Sequence, residues 1–332
     1  MTDRLLRLGV CGLGSIGRRH ARLLSMRDNV TVYVYDPDVA VGDPVGPDLG
    51  PAIVEPSYEA LLAAACDGIV IATPDALHAP LTIQASRAGR PVLVEKPVAD
   101  TSVAARAMQA VSAETGMPVL VGQVLRYSSV MIRAKELLQE AAIGTPLSFH
   151  ATVGAYETLE MAHTRFNDDV RYRLVFDYVH EWDYLQWLLG DVASCAAIGN
   201  LAGDLELVQS PNVIDVLLTM GNGVSGTAHL NYVERNGGRS ARIVGDRGVL
   251  AIDLRAGTVS VSDRDGATEH EEYAEHRDIA FERQLDHFID VSTKGDPVGV
   301  PVAVAGRSVA VAEAIVAACE TGQWQQVERL ND

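Results

Sequence analysis

The residues whose types and spacing say most about chemistry begin in one stretch, Arg7 to Asp36. An apolar run, Leu8 to Cys11, leads into Gly12-Leu13-Gly14-Ser15-Ile16-Gly17; a helix-compatible segment follows to Met26, and a β-rich run, Val30 to Tyr35, ends on Asp36. Gly12 permits a tight turn off the first strand, Gly14 lets the backbone approach a pyrophosphate, and Gly17 lets the helix pack closely on the strand. The free N–H groups at the helix start, around Ser15 and Ile16, then face the phosphates. Asp36 lies 19 residues beyond Gly17, close to the spacing of about 20 at which an acidic residue takes the ribose hydroxyls. Glycines also gather in ordinary turns, so the alternative is a βαβ unit that holds no ligand. The flanking strand, helix and acid favour a dinucleotide.

A second set of candidates lies further along. The chain has only three lysines, Lys96, Lys135 and Lys294, and Lys96 stands between Glu95 and Pro97 where a predicted strand ends. Its bland reading is a Lys–Glu pair at a strand end; its place at a ligand edge favours chemistry. In the run Phe176 to Gly190, Asp177, His180, Asp183 and Tyr184 recur at three- and four-residue spacing. One helix over 176–189 places them on a single face, with Val179, Trp182, Leu185, Leu188 and Leu189 forming an apolar face. An acid three residues before a histidine fixes its tautomer and supports the imidazolium form, as a general base requires. The alternative is a solvated polar stripe.

The elements that must position these residues follow from the apolar pattern. Ser57 caps a short helix to about Ala65, and a continuous apolar run, Gly68 to Thr73, reads as a buried strand ending at Thr73-Pro74-Asp75. A helix at about 76–88, a strand 91–95, a helix at about 101–115 and a strand 118–122 come next. The connection 37–56 reads as a loop. This alternation predicts a Rossmann-type doubly wound parallel sheet whose ligand crevice lies at the carboxyl ends of the strands. Gly12 to Gly17, Asp36, Thr73, Pro74, Lys96 and Gln123 all fall at that edge.

From Val124 the pattern changes. A helix at about 129–141 and a strand 146–153 precede an irregular stretch, Gly154 to Arg173, and then the helix 176–189. Alternating strands with Gly/Asn/Asp turns follow, 212–220, 224–233, 240–245, 249–253, 258–263 and 268–273, and two helices, 279–292 and 302–321, close the chain. Hairpin spacing of this kind marks a mainly antiparallel sheet. The fold class expected is therefore α/β, with an N-terminal dinucleotide-binding domain over 1–122. A C-terminal α+β domain over 123–332 carries a large, mainly antiparallel open sheet, and the last helices are free to pack back on the first domain.

Composition bounds the rest. The net charge of −17 over 332 residues argues against nucleic-acid or anionic-membrane partners, since both need a basic surface. Hydrophobic residues at 48% and charged residues at 21% are an ordinary globular balance. Cys11, Cys66, Cys195 and Cys319 form no CxxC pair, and no apolar leader or run of 18 apolar residues is seen, so a cytoplasmic protein is expected. Glu181, Asp183 and His163 make no recognisable metal set, and no metal is expected.

The chain resembles the glucose-fructose oxidoreductase / inositol dehydrogenase (Gfo/Idh/MocA) family over nearly its whole length. The resemblance rests on GLGSIGRRH (12–20), ATPDALH (72–78), EKP (95–97), GQVLRY (122–127) and HEWDYLQWLLG (180–190). It implies an NAD(P)-dependent dehydrogenase acting on a sugar or polyol hydroxyl, and a homodimer or homotetramer formed through the C-terminal sheet. By the same resemblance Lys96 matches the active-site lysine and His180 the catalytic histidine. The family commonly has an Asp four residues before that histidine; here that position is Phe176, and Asp177 is the nearby acid. His78, Glu95 and Gln123 join the expected cofactor contacts.

Two finer questions follow from the residues. A carboxylate at Asp36, with Asp38 beside it, repels a 2′-phosphate and favours NAD over NADP, whereas Arg18 and Arg19 offer a partner for that phosphate. Tyr156, His163, Arg165, Arg171, Tyr172 and Arg173, with Arg126, form a cluster able to bind a carboxylate or phosphate on the substrate. Neutralisation by Asp168 and Asp169 in surface ion pairs is the alternative. Two other functions share these features: an NAD-dependent glycosidase or lyase that oxidises a sugar transiently, and a non-catalytic NAD(H)-sensing protein.

Overall fold

The computed structural model describes residues 4–43, 45–46, 49–162, 171–206 and 210–329. They form two compact units, one running up to Val124 and including Asp278–Gly306, the other comprising Leu125–Arg277 and Arg307–Arg329.

The first unit is built on six parallel strands: β1 (Leu6–Cys11), β2 (Val30–Tyr35), β3 (Ile53–Val54), β4 (Gly68–Ile71), β5 (Val92–Val94) and β6 (Val119–Val121). Their spatial order is β3-β2-β1-β4-β5-β6, so the winding reverses between β1 and β4, where open α/β sheets bind their ligands. Every residue of β4, β5 and β6 is buried, because helices cover both faces of such a sheet and leave no strand face for polar side chains. The intervening helices are α1 (Ser15–Ser25), α2 (Tyr58–Ala63), α3 (His78–Arg87) and α4 (Ser102–Thr115). Ser57 caps α2 by accepting the Ala60 N–H at 3.1 Å, and Thr101 caps α4 by accepting the Ala104 N–H at 3.2 Å. Strand β3 lies inside the connection expected to be a loop. Its two residues pair with Tyr33 and Val34, and two residues are too few to carry a periodic signal.

The second unit opens with α5 (Ser129–Gln139), β7 (Pro146–Gly154), α6 (Tyr156–Ala162), α7 (Arg173–Asp177) and α8 (Val179–Leu189). Strands β8 (Val192–Asn200), β9 (Val213–Met220), β10 (Ser225–Asn231), β11 (Arg239–Gly245), β12 (Gly248–Asp253), β13 (Thr258–Asp263) and β14 (Thr268–Glu272) follow. In the second sheet β7 and β10 run parallel while the remaining pairs are antiparallel. Alternate residues of β9 are buried, the mark of a sheet with one face on a core and the other open. Trp182, Tyr184 and Leu185 of α8 pack in the core on that inner face with Phe149, Ile214 and Leu230.

Three departures from the pattern-based expectation stand out. The helix expected over 176–189 is two helices broken at Tyr178, whose φ of −103° and ψ of 33° leave the helical region. Strand β8 was not expected, because its Ala, Ser and Gly residues carry little β preference; its pairing with β9 makes it a strand. Helix α6 occupies the start of the stretch expected to be irregular.

The chain then supplies α9 (Asp278–Lys294) to the first unit, continues through α10 (Val302–Thr321), and ends in β15 (Gln325–Gln326), which pairs with β8. Phe288 of α9 lies against Gly68, where a Cβ would stand 2.7 Å from its ring. By length and composition α10 is able to cross a membrane, with a mean hydropathy of 1.7, but most of it is buried inside the protein.

Trp182 is fully buried and its Nε1–H donates to the Val175 carbonyl at 3.0 Å, which ties α8 to α7 across the break. Trp182→Ala is expected to cost about 3–5 kcal/mol, read as a lowered midpoint in urea denaturation.

Candidate active site

The dinucleotide half of the site is built by β1, the glycine turn and α1. Gly12 has φ of +90°, and a Cβ there would lie 2.6 Å from the Ala72 carbonyl; a Cβ on Gly17 would lie 1.8 Å from the Gly12 carbonyl. Both positions therefore exclude any side chain. Gly14 has nothing within 4 Å of such a Cβ, and it caps α1 without a side-chain hydrogen bond. Ser15 beside it is exposed. The N-terminus of α1 thus keeps donors and open space for a diphosphate, and the residues fit the group.

Asp36, at the end of β2, accepts the Leu13 N–H at 2.6 Å through Oδ2 and the Asp38 N–H at 2.9 Å through Oδ1. Its carboxylate is held beside the glycine turn with lone pairs left for a ribose diol. The two arginines that bear on a 2′-phosphate are both engaged. Arg18 donates to the Val45 carbonyl at 2.7 Å, and Arg19 pairs with Asp278 at 3.1 Å while lying 4.9 Å over the Phe281 ring.

Along the same sheet edge, Thr73 and Pro74 follow β4. The Thr73 hydroxyl is buried without a hydrogen-bond partner among the described residues. His78 opens α3, with Nδ1 2.7 Å from the Pro97 carbonyl and Nε2 2.9 Å from the Thr73 carbonyl. It therefore links the turns that follow β4 and β5. Gln123, just after β6, is buried.

Glu95 and Lys96 end β5. Glu95 is buried, with Oε1 2.7 Å from His20 Nε2 and Oε2 accepting the Lys96 N–H at 3.3 Å. Burial alone would raise its pKa; the His20 hydrogen bond and the charges of His20 and Lys96 outweigh that and bring it below the usual carboxylate value.

In the second unit His180 sits in the first turn of α8 and is buried. Its neighbours in sequence are buried charges with dedicated partners. Arg239 of β11 donates Nε and Nη2 to the two Glu181 oxygens at 2.7 and 2.8 Å. Arg126, in the short turn Val124–Tyr127, donates to both Asp183 oxygens at 2.8 Å. Burial pushes the Asp183 carboxyl up, against the pull of Arg126. The alternative of a solvated polar stripe does not hold for α8: Glu181, Asp183 and Tyr184 are as buried as Trp182 and Leu185. Asp177 does not share a helix with His180. Its Oδ2 accepts the Tyr232 hydroxyl at 2.5 Å, and Arg173 Nε stands 3.4 Å from Oδ1.

Several residues of the expected substrate cluster have other contacts in the structure. Arg126 is committed to Asp183, and its guanidinium lies 5.4 Å from the Trp187 ring centroid. Tyr156 is buried beneath Arg235 at 4.2 Å, while Arg171 stands 3.9 Å from Glu320. Arg165 and His163 lie outside the described residues. The two arginine clamps on α8 escaped the sequence reading because Arg239 is 58 residues from its partner, with no local signal linking them. Among the described residues no group of three His, Cys, Asp or Glu side chains is placed to hold a metal.

Comparison with known proteins agrees with this architecture. Residues 6–123 match the model of an oxidoreductase family with an NAD-binding Rossmann fold, and residues 131–251 match the GFO/IDH/MocA C-terminal domain. The chain belongs to the Gfo/Idh/MocA family of oxidoreductases. It is 25% identical over 338 residues to inositol 2-dehydrogenase of Rubrobacter xylanophilus, covering 97% of this chain and 93% of that one. It is 28% identical over 204 residues to 2,7-anhydro-N-acetylneuraminate hydratase of Escherichia coli, covering 60% and 54% of the two chains. Its fold superposes with a TM-score of 0.84, at 19% identity and over 97% of this chain and 98% of the other, on an oxidoreductase from Agrobacterium radiobacter solved with NAD+, L-tartaric acid and magnesium.

Removing one partner of a buried pair strands the other charge. Arg239→Leu is expected to destabilise the protein by about 3–5 kcal/mol in urea denaturation. The double variant Arg239→Leu/Glu181→Leu should recover most of that loss.

Proposed function

We propose that this protein is an NAD-dependent dehydrogenase that oxidises a secondary hydroxyl of a sugar, sugar derivative or inositol-like polyol. The reading is carried by one combination: a glycine turn and helix N-terminus shaped for a diphosphate, on the same sheet edge as Lys96, in a chain with full-length similarity to an inositol dehydrogenase. Bound NAD supplies the hydride acceptor. Of the chain's own groups, His180 takes the hydroxyl proton as general base and Lys96 stabilises the negative charge that develops on the oxygen. Asp177, three residues before His180, is held by the Tyr232 hydroxyl and Arg173. General base catalysis of this kind is worth about 10²–10⁴-fold.

Preference for NAD over NADP is supported by three features. The Asp36 carboxylate is fixed at the ribose end of the glycine turn, Arg19 is tied to Asp278, and Arg18 is held on the Val45 carbonyl. Assembly as a homodimer or homotetramer through the open sheet face is supported by Leu217 and Ile198, which remain exposed on it. They border a groove of about 450 Å³ that also includes His150, Asp215 and His229.

The similarity to a hydratase favours a second reading, in which oxidation of the sugar is transient and no net NADH accumulates.

A screen of NAD+ reduction over inositols, aldoses, sugar acids and glycosides tests these readings. NADH accumulation on a free polyol supports the dehydrogenase, whereas product formation without NADH supports the transient-oxidation route. On the active substrate His180→Ala and Lys96→Ala should each lower kcat by at least about 10²-fold with NADH binding retained. Full turnover in either variant removes the role assigned to that residue. Asp36→Ser should raise kcat/KM with NADP relative to NAD by about tenfold or more, the factor set by about 1.4 kcal/mol.

A further inference from the structure

Among the described residues, the acids that flank His180 in sequence are each matched by an arginine of the second unit. Arg126 donates Nε and Nη2 to the two Asp183 oxygens at 2.8 Å, and Arg239 donates to the two Glu181 oxygens at 2.7 and 2.8 Å. Arg173 Nε stands 3.4 Å from Asp177 Oδ1. Asp183 and Glu181 accept through both oxygens, as ionised carboxylates do. These charges therefore cancel pair by pair.

The deepest pair bears most directly on what else can bind. The Asp183 side chain is 2% exposed and that of Arg126 10%. The Arg126 guanidinium also lies 5.4 Å from the centroid of the Trp187 ring, four residues beyond Asp183 on α8. An acid brought to Arg126 from outside would meet the Asp183 carboxylate beside it, and like charges so placed repel. Drawing Arg126 away instead would strand Asp183 in the interior, which a buried pair resists strongly. Lys135, the one lysine of this unit, directs its ammonium to the Trp187 carbonyl in the last turn of α8. Arg171 and Arg235 lie in exposed pairs with Glu320 and Glu160.

We infer that Asp183, by occupying Arg126, is a specificity-determining residue that reserves the site for uncharged sugars and polyols and turns away sugar acids and sugar phosphates. This rests on the dehydrogenase reading for the place of the substrate beside the first turn of α8, not for the charge of what binds there. A neutral polyol needs no counter-ion, because hydrogen bonds alone satisfy its hydroxyls. The net charge of −17 acts in the same direction, since a strongly acidic protein depletes anions near its surface. Lys96, in the first unit, is left for the reacting oxygen.

Selectivity is a difference between two affinities, so sugars that differ in one group measure it. The probes are D-glucose against D-glucuronate and D-glucose 6-phosphate, and D-galactose against D-galacturonate, with myo-inositol as a further neutral compound. Each is titrated calorimetrically into the NADH-loaded protein and assayed for oxidation with NAD+. The neutral member of a pair should hold an advantage of at least about tenfold in Kd, and in kcat/KM where it is oxidised. Asp183→Asn, which removes the charge that matches Arg126, should move that ratio toward the acid by about tenfold. Adding Arg126→Gln to it should cancel the shift. A purely structural loss would weaken both members alike and leave the ratio where it was.

A wild-type protein that binds the acid or phosphate as tightly as its neutral partner overturns the inference, as does binding of none of the neutral probes. An unchanged ratio in folded Asp183→Asn also overturns it. If that variant does not fold, the wild-type ratios decide alone. Neutral sugars that bind selectively but are never oxidised support the inference and overturn the dehydrogenase reading, whereas oxidation of the acids in preference does the reverse.

Discussion

A charge taken out of water must be given a partner, because the penalty for leaving it alone exceeds what most other contacts return. Among the described residues three carboxylates are under that constraint: Glu95 just after β5, and Glu181 and Asp183 in α8. Each is met by a specific group, His20 for Glu95, Arg239 for Glu181 and Arg126 for Asp183. The two arginine pairs are bidentate, and that geometry fixes orientation as well as charge. His180 lies beside one and three residues from the other, so its helix is held in register by electrostatics on top of the Trp182 packing. Glu95 does the same for the turn that carries Lys96.

The second constraint is close approach of backbones at the dinucleotide turn. Gly12 and Gly17 lack side chains because carbonyl oxygens of Ala72 and Gly12 stand where a Cβ would be. At Gly14 the situation is the opposite: the space beyond it is open. Asp36 then draws the Leu13 N–H to itself, so the turn and the acid at the end of β2 are one hydrogen-bonded piece. The chemistry proposed here asks little more of the first unit than a rigid edge that presents Lys96.

Family membership narrows the reaction class, but the residues around α8 show how little a charge's presence says about its use. Arg126 has the chemistry to grip a substrate carboxylate, yet both its bonded nitrogens serve Asp183. Asp177 has the chemistry to orient a histidine, yet it receives the Tyr232 hydroxyl from β10's C-terminal side and lies near Arg173. In each case a long-range partner took up the side chain.

The amino-acid sequence by itself determined five of the six strands of the first sheet, the glycine turn, and the placing of Asp36 and Lys96 at strand ends, since these depend on local signals: continuous apolar runs, turn glycines and an acid at a set distance. It also determined most of the second sheet through its alternating strands and hairpin turns. Only the tertiary structure decided the break at Tyr178, the strand character of β8, and the interior placement of the residues flanking His180. The physical reason is the same throughout. A helical spacing rule assumes that one side of the helix meets water, and α8 has no such side. A strand of small residues is stabilised by the neighbour it pairs with, and the partner of a buried charge is set by the fold, 57 residues away for Asp183 and 75 for Glu95.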